Sequence, residues 1–300
     1  MLEFKNLDIV SKELFESYLK NKYENSETSF ANLYMWKDFY NTVYTEYDGF
    51  LVILNTSPNG KVHCYMPYGD GDVKNVLSEL VAYLKSINQD LRITSATKEQ
   101  AEYICSLYPE TKIRENHSFN DYVYLTESLA SLSGKKLHAK RNHLNRFKNT
   151  YDYTYREMTS DDFDECIELA KRLMLKDRTE ESYSYIEELK SIKRAFKHFN
   201  AFNLSGAVIE IDGKIAAFTV GEALTDSMAL IHIEKADTSY DGIYAAINNE
   251  FVKNRWSEFK YINREEDMGI AGLRKAKLSY RPDHMVRKFF CHLSCSNGEE

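Results

Sequence analysis

Apolar residues recur along this chain at two spacings, and each change of spacing marks a new element. Residues 8–22 predict an amphipathic helix capped by Asp8, with Ile9, Leu14, Tyr18 and Leu19 on one side. Residues 30–40 (FANLYMWKDFY) predict an aromatic helix or turn. Alternating or continuous apolar runs at 42–47, 50–55 and 61–68 predict strands, with Asp48-Gly49 and Asn59-Gly60 as the hairpin turns. A helix follows at 72–87, with Val73, Val76, Leu80 and Leu84 on its inner side. Then come a strand at 91–96, a helix at 98–107 and a strand at 121–126 that closes the half.

The second half repeats this order. Helices are predicted at 161–176 and 181–198. Strands at 201–211 and 214–223 join at Asp212-Gly213, and a third runs over 228–235. Asp241 caps a helix reaching about Asn254, with Ile243, Ile247 and Phe251 in register. A strand at 259–265, a short helix at 270–278 and a strand at 284–290 complete the half. Hairpins followed by a crossover helix give a mixed sheet flanked by helices, an α/β fold of the α+β kind. Two such domains are expected, at 1–132 and 151–300, joined by a basic connecting helix at 133–150.

Charge sharpens that division. The net charge of −7 disfavours unspecific nucleic-acid binding by the whole surface. Yet Ser128–Tyr151 holds six Lys or Arg and no acid. At about 100° per residue, Leu137, Leu144 and Phe147 form an apolar arc. Arg141 and Lys148 fall in or beside it, and Lys140 lies near its other end. Cations beside a buried face either snorkel to water or meet an anion. Lys136, Lys140, Arg141 and Arg146 are therefore candidates for phosphate or the acceptor end of tRNA; an exposed linker helix is the other reading. Five cysteines without a CxxC pair predict reduced thiols and a cytoplasmic location. His284, Cys291, His292 and Cys295 fit no standard zinc spacing, so no metal is expected. No apolar run approaches about 18 residues, so no transmembrane segment is expected.

Four motifs carry a resemblance: NLYMWKD (32–38), GKKLHAKRNHLNRF (134–147), HIEKADTSYDGIYAAINNEF (232–251) and INREEDMGIAGLRKAKLSY (262–280). Together they resemble a bacterial family similar to the C-terminal domain of phosphatidylglycerol lysyltransferases, and more remotely the Fem peptidyltransferases. The resemblance covers nearly the whole chain. It implies tandem GNAT-like domains with a cleft between them, and transfer of an aminoacyl group from aminoacyl-tRNA to an amine or hydroxyl. The acceptor would be a small molecule, a peptide or a lipid head group. An acetyl-CoA-binding GNAT would place Arg/Gln-x-x-Gly-x-Gly/Ala after its central strand, cradling pyrophosphate at a helix N-terminus. Here the aligned run is Ser239-Tyr240-Asp241-Gly242-Ile243-Tyr244, with one glycine, an acid and Tyr244 in the tight position. That favours a donor other than acetyl-CoA, with no further cofactor required.

Candidate chemistry gathers at strand ends. On the 228–235 strand, Met228, Leu230, His232 and Glu234 share one face. His232 and Glu234 thus stand together at the C-terminal end, where open α/β sheets place ligands. Either could take the proton of an attacking amine; a satisfied core histidine beside a surface acid is the alternative. Asn263, Arg264, Glu265, Glu266 and Asp267 follow the next strand. Its acids could hold a cationic amine or merely favour the following helix dipole. Arg274 and Lys277 could pair with them or bind phosphate. Two further function classes remain open: an acetyl-CoA-dependent N-acetyltransferase, and a non-catalytic protein binding tRNA or another anion.

Overall fold

Asp-Gly turns set the hairpins. Asp48 and Gly49 lie at φ 50° and 76°, and Asp212 and Gly213 at 52° and 72°. Left-handed pairs match the twist of the strands they join, here Val43–Tyr47 with Phe50–Thr56 and Ser205–Ile211 with Lys214–Thr225. The computed structural model describes residues 2–176 and 182–295. Glu181, which opens the predicted 181–198 helix, and residues 296–300 of the predicted second domain lie outside the described residues.

The chain forms two units. The first has an eight-stranded sheet ordered Lys5–Asn6, Val43–Tyr47, Phe50–Thr56, Val62–Cys64, Leu91–Ala96, Phe289–Leu293, Lys112–Glu115, with Tyr68–Gly69 also paired to Phe50–Thr56. The helix Lys74–Ser86 buries Val76, Leu77, Leu80 and Leu84 against Val52, Leu54 and Ile93, largely the predicted face.

The second unit has a seven-stranded sheet ordered His284–Val286, Asp121–Leu125, Tyr261–Asn263, Met228–Ala236, Lys214–Thr225, Ser205–Ile211, Tyr153–Glu157. One pair within it, Met228–Ala236 with Tyr261–Asn263, is parallel. The crossover between them is the helix Ile243–Arg255, which buries Ile243, Ile247 and Phe251. The helix His138–Thr150 adds Leu144 and Phe147 to the same core.

The unit boundaries differ from those expected. The chain up to Asn120 joins the chain from Val286 onward, and Asp121–Met285 forms the other unit. The strand at 121–125 does not close the first sheet; it pairs with Tyr261–Asn263 in the second. The predicted 284–290 strand is two strands, and Phe289–Leu293 enters the first sheet between Leu91–Ala96 and Lys112–Glu115. The basic helix is no linker, because its apolar arc is core. Alternation identifies a strand and its inner face, but not its neighbour, which is a non-local choice. Edge strands at 112–115 and 153–157 escaped the reading because their patterns are largely polar.

One glycine is fixed by contact. Gly242 opens the crossover helix at φ 91°, and a Cβ there would lie 2.3 Å from the His143 carbonyl oxygen. Gly242→Ala is expected to lower unfolding free energy by about 2 kcal/mol or more, from backbone strain and this clash. Urea unfolding of the two proteins reads it directly.

Candidate functional site

The parallel pair in the second unit parts at its C-terminal end. Pairing runs from Met228–Tyr261 to Leu230–Asn263. Beyond that, one strand continues through His232 and Glu234 to Ala236 while the other turns away at Arg264. Arg264 and Glu265 pair their backbone with Tyr122 on the other side, and charged side chains collect where the strands part.

His232 sits between two acids. Its Nδ1 lies 2.9 Å from Glu265 Oε1 and its Nε2 3.0 Å from Glu222 Oε1, with the side chain 1% exposed. A carboxylate offers no proton, so the ring satisfies both neighbours only as imidazolium. Burial opposes that charge. The hydrogen bonds and fields of Glu222 and Glu265 outweigh burial and push the pKa up to about 10. Both ring nitrogens of His232 are therefore engaged within the protein. With both nitrogens donating at neutral pH, it has no lone pair for an incoming proton. It ties Glu222 on the neighbouring strand to Glu265 in the turn.

Glu234 is bound on both oxygens. Oε1 accepts from Arg264 Nη2 at 2.8 Å, and Oε2 accepts from Asn248 Nδ2 at 3.2 Å. The Arg264 guanidinium lies 4.9 Å from the centre of the Tyr280 ring and 5.8 Å from that of Tyr124. The Lys140 ammonium lies over Tyr280 as well, at 4.3 Å. Burial and the field of Arg264 pull Lys140 below the usual lysine range, against Glu234. Lys140 has no ion pair or hydrogen bond among the described residues. Two buried atoms here have no hydrogen-bond partner: Arg264 Nη1 and Asn248 Oδ1. Unpaired buried polar atoms are costly and uncommon.

The following turn is a frame. Asn263 accepts from the Glu265 amide at 2.7 Å and donates to Asp121 at 3.1 Å. Glu265 stands at φ 55°, a conformation costly for a side-chain-bearing residue. Lys277, on the helix Ala271–Ser279, donates to the carbonyls of Arg264 at 2.6 Å, Glu265 at 3.1 Å and Glu266. Its three N–H groups are thereby used. Asp267 is fully buried and accepts from Tyr122 at 2.5 Å, from Arg274 Nε and Nη2 at 2.8 and 2.9 Å, and from the Gly269 amide at 2.8 Å. Asn263, Asp267, Arg274 and Lys277, expected to bind substrate, instead shape the backbone that presents Arg264 and Glu265. Glu266 is partly buried in the same turn, and Tyr244 is partly exposed on the first turn of the crossover helix.

Lys277→Met is expected to strand three carbonyls, at about 1–3 kcal/mol for each group left buried and unsatisfied. The turn should loosen locally. Hydrogen exchange at the Glu265 amide should accelerate at least tenfold, and unchanged protection there would remove the framing role.

The basic helix divides in the same way. Arg141 Nη1 donates to the carbonyls of Leu132 at 2.5 Å and Gly134 at 3.2 Å, closing the end of the helix Thr126–Ser131. Arg146 pairs with Asp241 at 2.5 Å. Lys136 is exposed on the turn before the helix. Of the four expected phosphate ligands, Lys140 reaches the parted strands. Arg141 is corrected: the carbonyls left over at a helix end claim its fork first. Glu222, Asn248, Tyr124 and Tyr280 escaped the sequence reading. The Asn248-Asn249 pair was a usable signal, since both lie inside a buried helix where amides need partners.

Two mixed sheets flanked by helices, each with a parallel pair, Met228–Ala236 with Tyr261–Asn263 in the second and Val62–Cys64 with Leu91–Ala96 in the first, make a tandem GNAT-like fold. FemX and a tandem GNAT protein from the clavulanic acid biosynthesis pathway share it, at TM-scores of 0.59 and 0.56 and 10% and 8% identity; the matches cover 98% of both chains and 100% of both chains respectively. The chain belongs to the family described as phosphatidylglycerol lysyltransferase, C-terminal, whose profile matches residues 20–292. A conserved protein of unknown function from Bacteroides thetaiotaomicron is 36% identical, with a TM-score of 0.90 over 98% of this chain and 100% of that one. L-PGS from Bacillus licheniformis is 14% identical, with a TM-score of 0.67 over 97% and 93%. An uncharacterized protein of Mycoplasmoides gallisepticum is 26% identical over 208 residues, which is 69% of this chain and 66% of that protein, just under two-thirds of its length. At the level of family and fold, the chain is an aminoacyltransferase-like protein. No helix among the described residues is long and apolar enough to cross a membrane.

Proposed function

We propose that this chain transfers an aminoacyl group from an activated donor such as aminoacyl-tRNA to an amine or hydroxyl, at the parted strands of the second unit. The observation that carries the reading is the pair of unpartnered buried atoms, Arg264 Nη1 and Asn248 Oδ1, set on either side of Glu234. A cationic donor and a neutral acceptor suit the two ends of acyl transfer. Arg264 Nη1 would meet the carbonyl oxygen as it gains negative charge. Asn248 Oδ1 would accept from the attacking or the α-amino nitrogen.

Lys140 takes the proton-accepting place that strand alternation offered to His232 and Glu234. Its lowered pKa raises the neutral fraction, and a neutral amine accepts a proton. The acceptor nitrogen or oxygen bonds to the ester carbon and loses a proton to Lys140. The ester C–O bond breaks, and the departing ribose oxygen takes a proton. The donor is not acetyl-CoA in this reading. Gly242, at the only glycine of the cradle-like run, is closed off by the His143 carbonyl, and Asp241 with Arg146 occupies the same helix start.

A single-turnover assay with a charged-tRNA pool tests the proposal. The expected result is loss of the aminoacyl ester with a new amide or ester product when a mixture of amines and hydroxyl compounds is supplied. Binding without ester loss would make this chain a tRNA-binding protein instead, and binding of CoA by calorimetry would return acetyl transfer.

A further inference from the structure

The helix Ala271–Ser279 has its polarity reversed. Its inward side carries ions: Lys277 is buried on the turn carbonyls, and Arg274 reaches Asp267. Its outward side carries Ile270, Ala271, Lys275 and Leu278, and Met268 precedes it. Met268, Ile270 and Leu278 are 54%, 49% and 47% exposed. Residues 271, 275 and 278 follow at i, i+4 and i+7 along that side, with 270 at its head. Ala271, Arg274, Lys275, Leu278, Ser279 and Arg281 line one open depression.

Such a row has no use for water. An amphipathic helix normally turns its apolar side inward, and clustered exposed aliphatics mark a contact surface. Charge says which contact. With Arg274 and Lys277 turned inward, the outward charges between Met268 and Pro282 are Lys275 and Arg281, and that stretch holds no acid in a chain whose net charge is −7. Aliphatic side chains interleaved with Lys and Arg match the boundary between anionic head groups and acyl chains. A nucleic acid would meet Ile270 and Leu278 where it needs stacking rings, and this row has no aromatic side chain.

We infer that the Met268–Arg281 surface docks the protein reversibly on an anionic lipid bilayer. Met268, Ile270 and Leu278 enter the head-group boundary, and Lys275 and Arg281 pair with lipid phosphates. The inference does not depend on the transfer chemistry. Neither Lys275 nor the three aliphatics touch the atoms assigned to it.

Vesicle flotation of the full chain tests it. Phosphatidylserine is used as the anionic lipid, so that docking is separated from recognition of any acceptor head group. Co-flotation is expected with phosphatidylcholine–phosphatidylserine vesicles, not with phosphatidylcholine alone, and it should weaken as salt rises. Lys275→Ala should lower partitioning about fivefold, the effect of one basic residue near an anionic surface. Ile270→Ser with Leu278→Ser should reduce it to background, with unchanged thermal unfolding showing that the fold is kept. No flotation with anionic vesicles overturns the inference. Flotation that these substitutions leave unaltered overturns it too. Self-association abolished by the same substitutions would assign the surface to a second copy of this chain and overturn it equally.

Discussion

Arg264→Met is expected to slow single-turnover aminoacyl transfer about 100-fold, equivalent to about 2.7 kcal/mol of transition-state stabilisation. Arg264 both pairs with Glu234 and presents a buried donor. Its Nη2 holds Glu234, and its Nη1 is buried and makes no hydrogen bond of ordinary geometry. The Tyr280 and Tyr124 rings hold its plane in place, so it pays little reorganisation as a charge develops beside it. The substitution also strands Glu234, at about 3–5 kcal/mol if that carboxylate stays buried. Rate and stability must therefore be separated. Pairing Arg264→Met with Glu234→Gln removes the lone charge and should restore most of the urea midpoint. If Arg264 acts on substrate, transfer stays slow in the stabilised double variant. Recovery of rate along with stability would reduce Arg264 to a structural role.

His232→Ala is expected to be among the most destabilising single changes in the second unit, at about 3–5 kcal/mol near neutral pH, because it leaves Glu222 and Glu265 facing each other without their shared cation. The effect carries a pH signature. An ordinary histidine titrates near 6.5, whereas His232 is held up to about 10 in the fold. A raised folded pKa stabilises fully below the unfolded value and fades as pH rises through the folded one. The gap in urea midpoint between native protein and variant should be widest at about pH 6.5 and below, and shrink steadily towards about pH 10. A gap that stays constant across that window would show that the ring is neutral. It would also restore His232 as a proton acceptor.

Much of the local structure was legible. Apolar spacing gave the helix faces at Val76–Leu84 and Ile243–Phe251, and Asp-Gly turns gave the hairpins. Strand alternation put His232 and Glu234 on one face. The roles of those residues were less legible. Glu234 looked like a proton acceptor or a surface acid, but Arg264 reaches it from 30 positions away. Lys277 looked like a partner for the neighbouring acids or a phosphate ligand, and the turn at 264–266 aims three carbonyls at it instead. Glu222 gave no signal, because its approach to His232 depends on a register shift between Val220 and Gly221. Arg141 had the right chemistry for phosphate, yet Leu132 and Gly134 were nearer.

From the residues alone came the elements, their inward sides and the kind of fold, since each depends on spacing between near neighbours in the chain. Folding in three dimensions decided that the strand at 121–125 serves the second sheet and the one at 289–293 the first. It also decided which cations are spent on the backbone, and that His232 stands between two acids. Sheet partners, desolvation and fields between charges arise among groups far apart in sequence, so spacing carries no record of them.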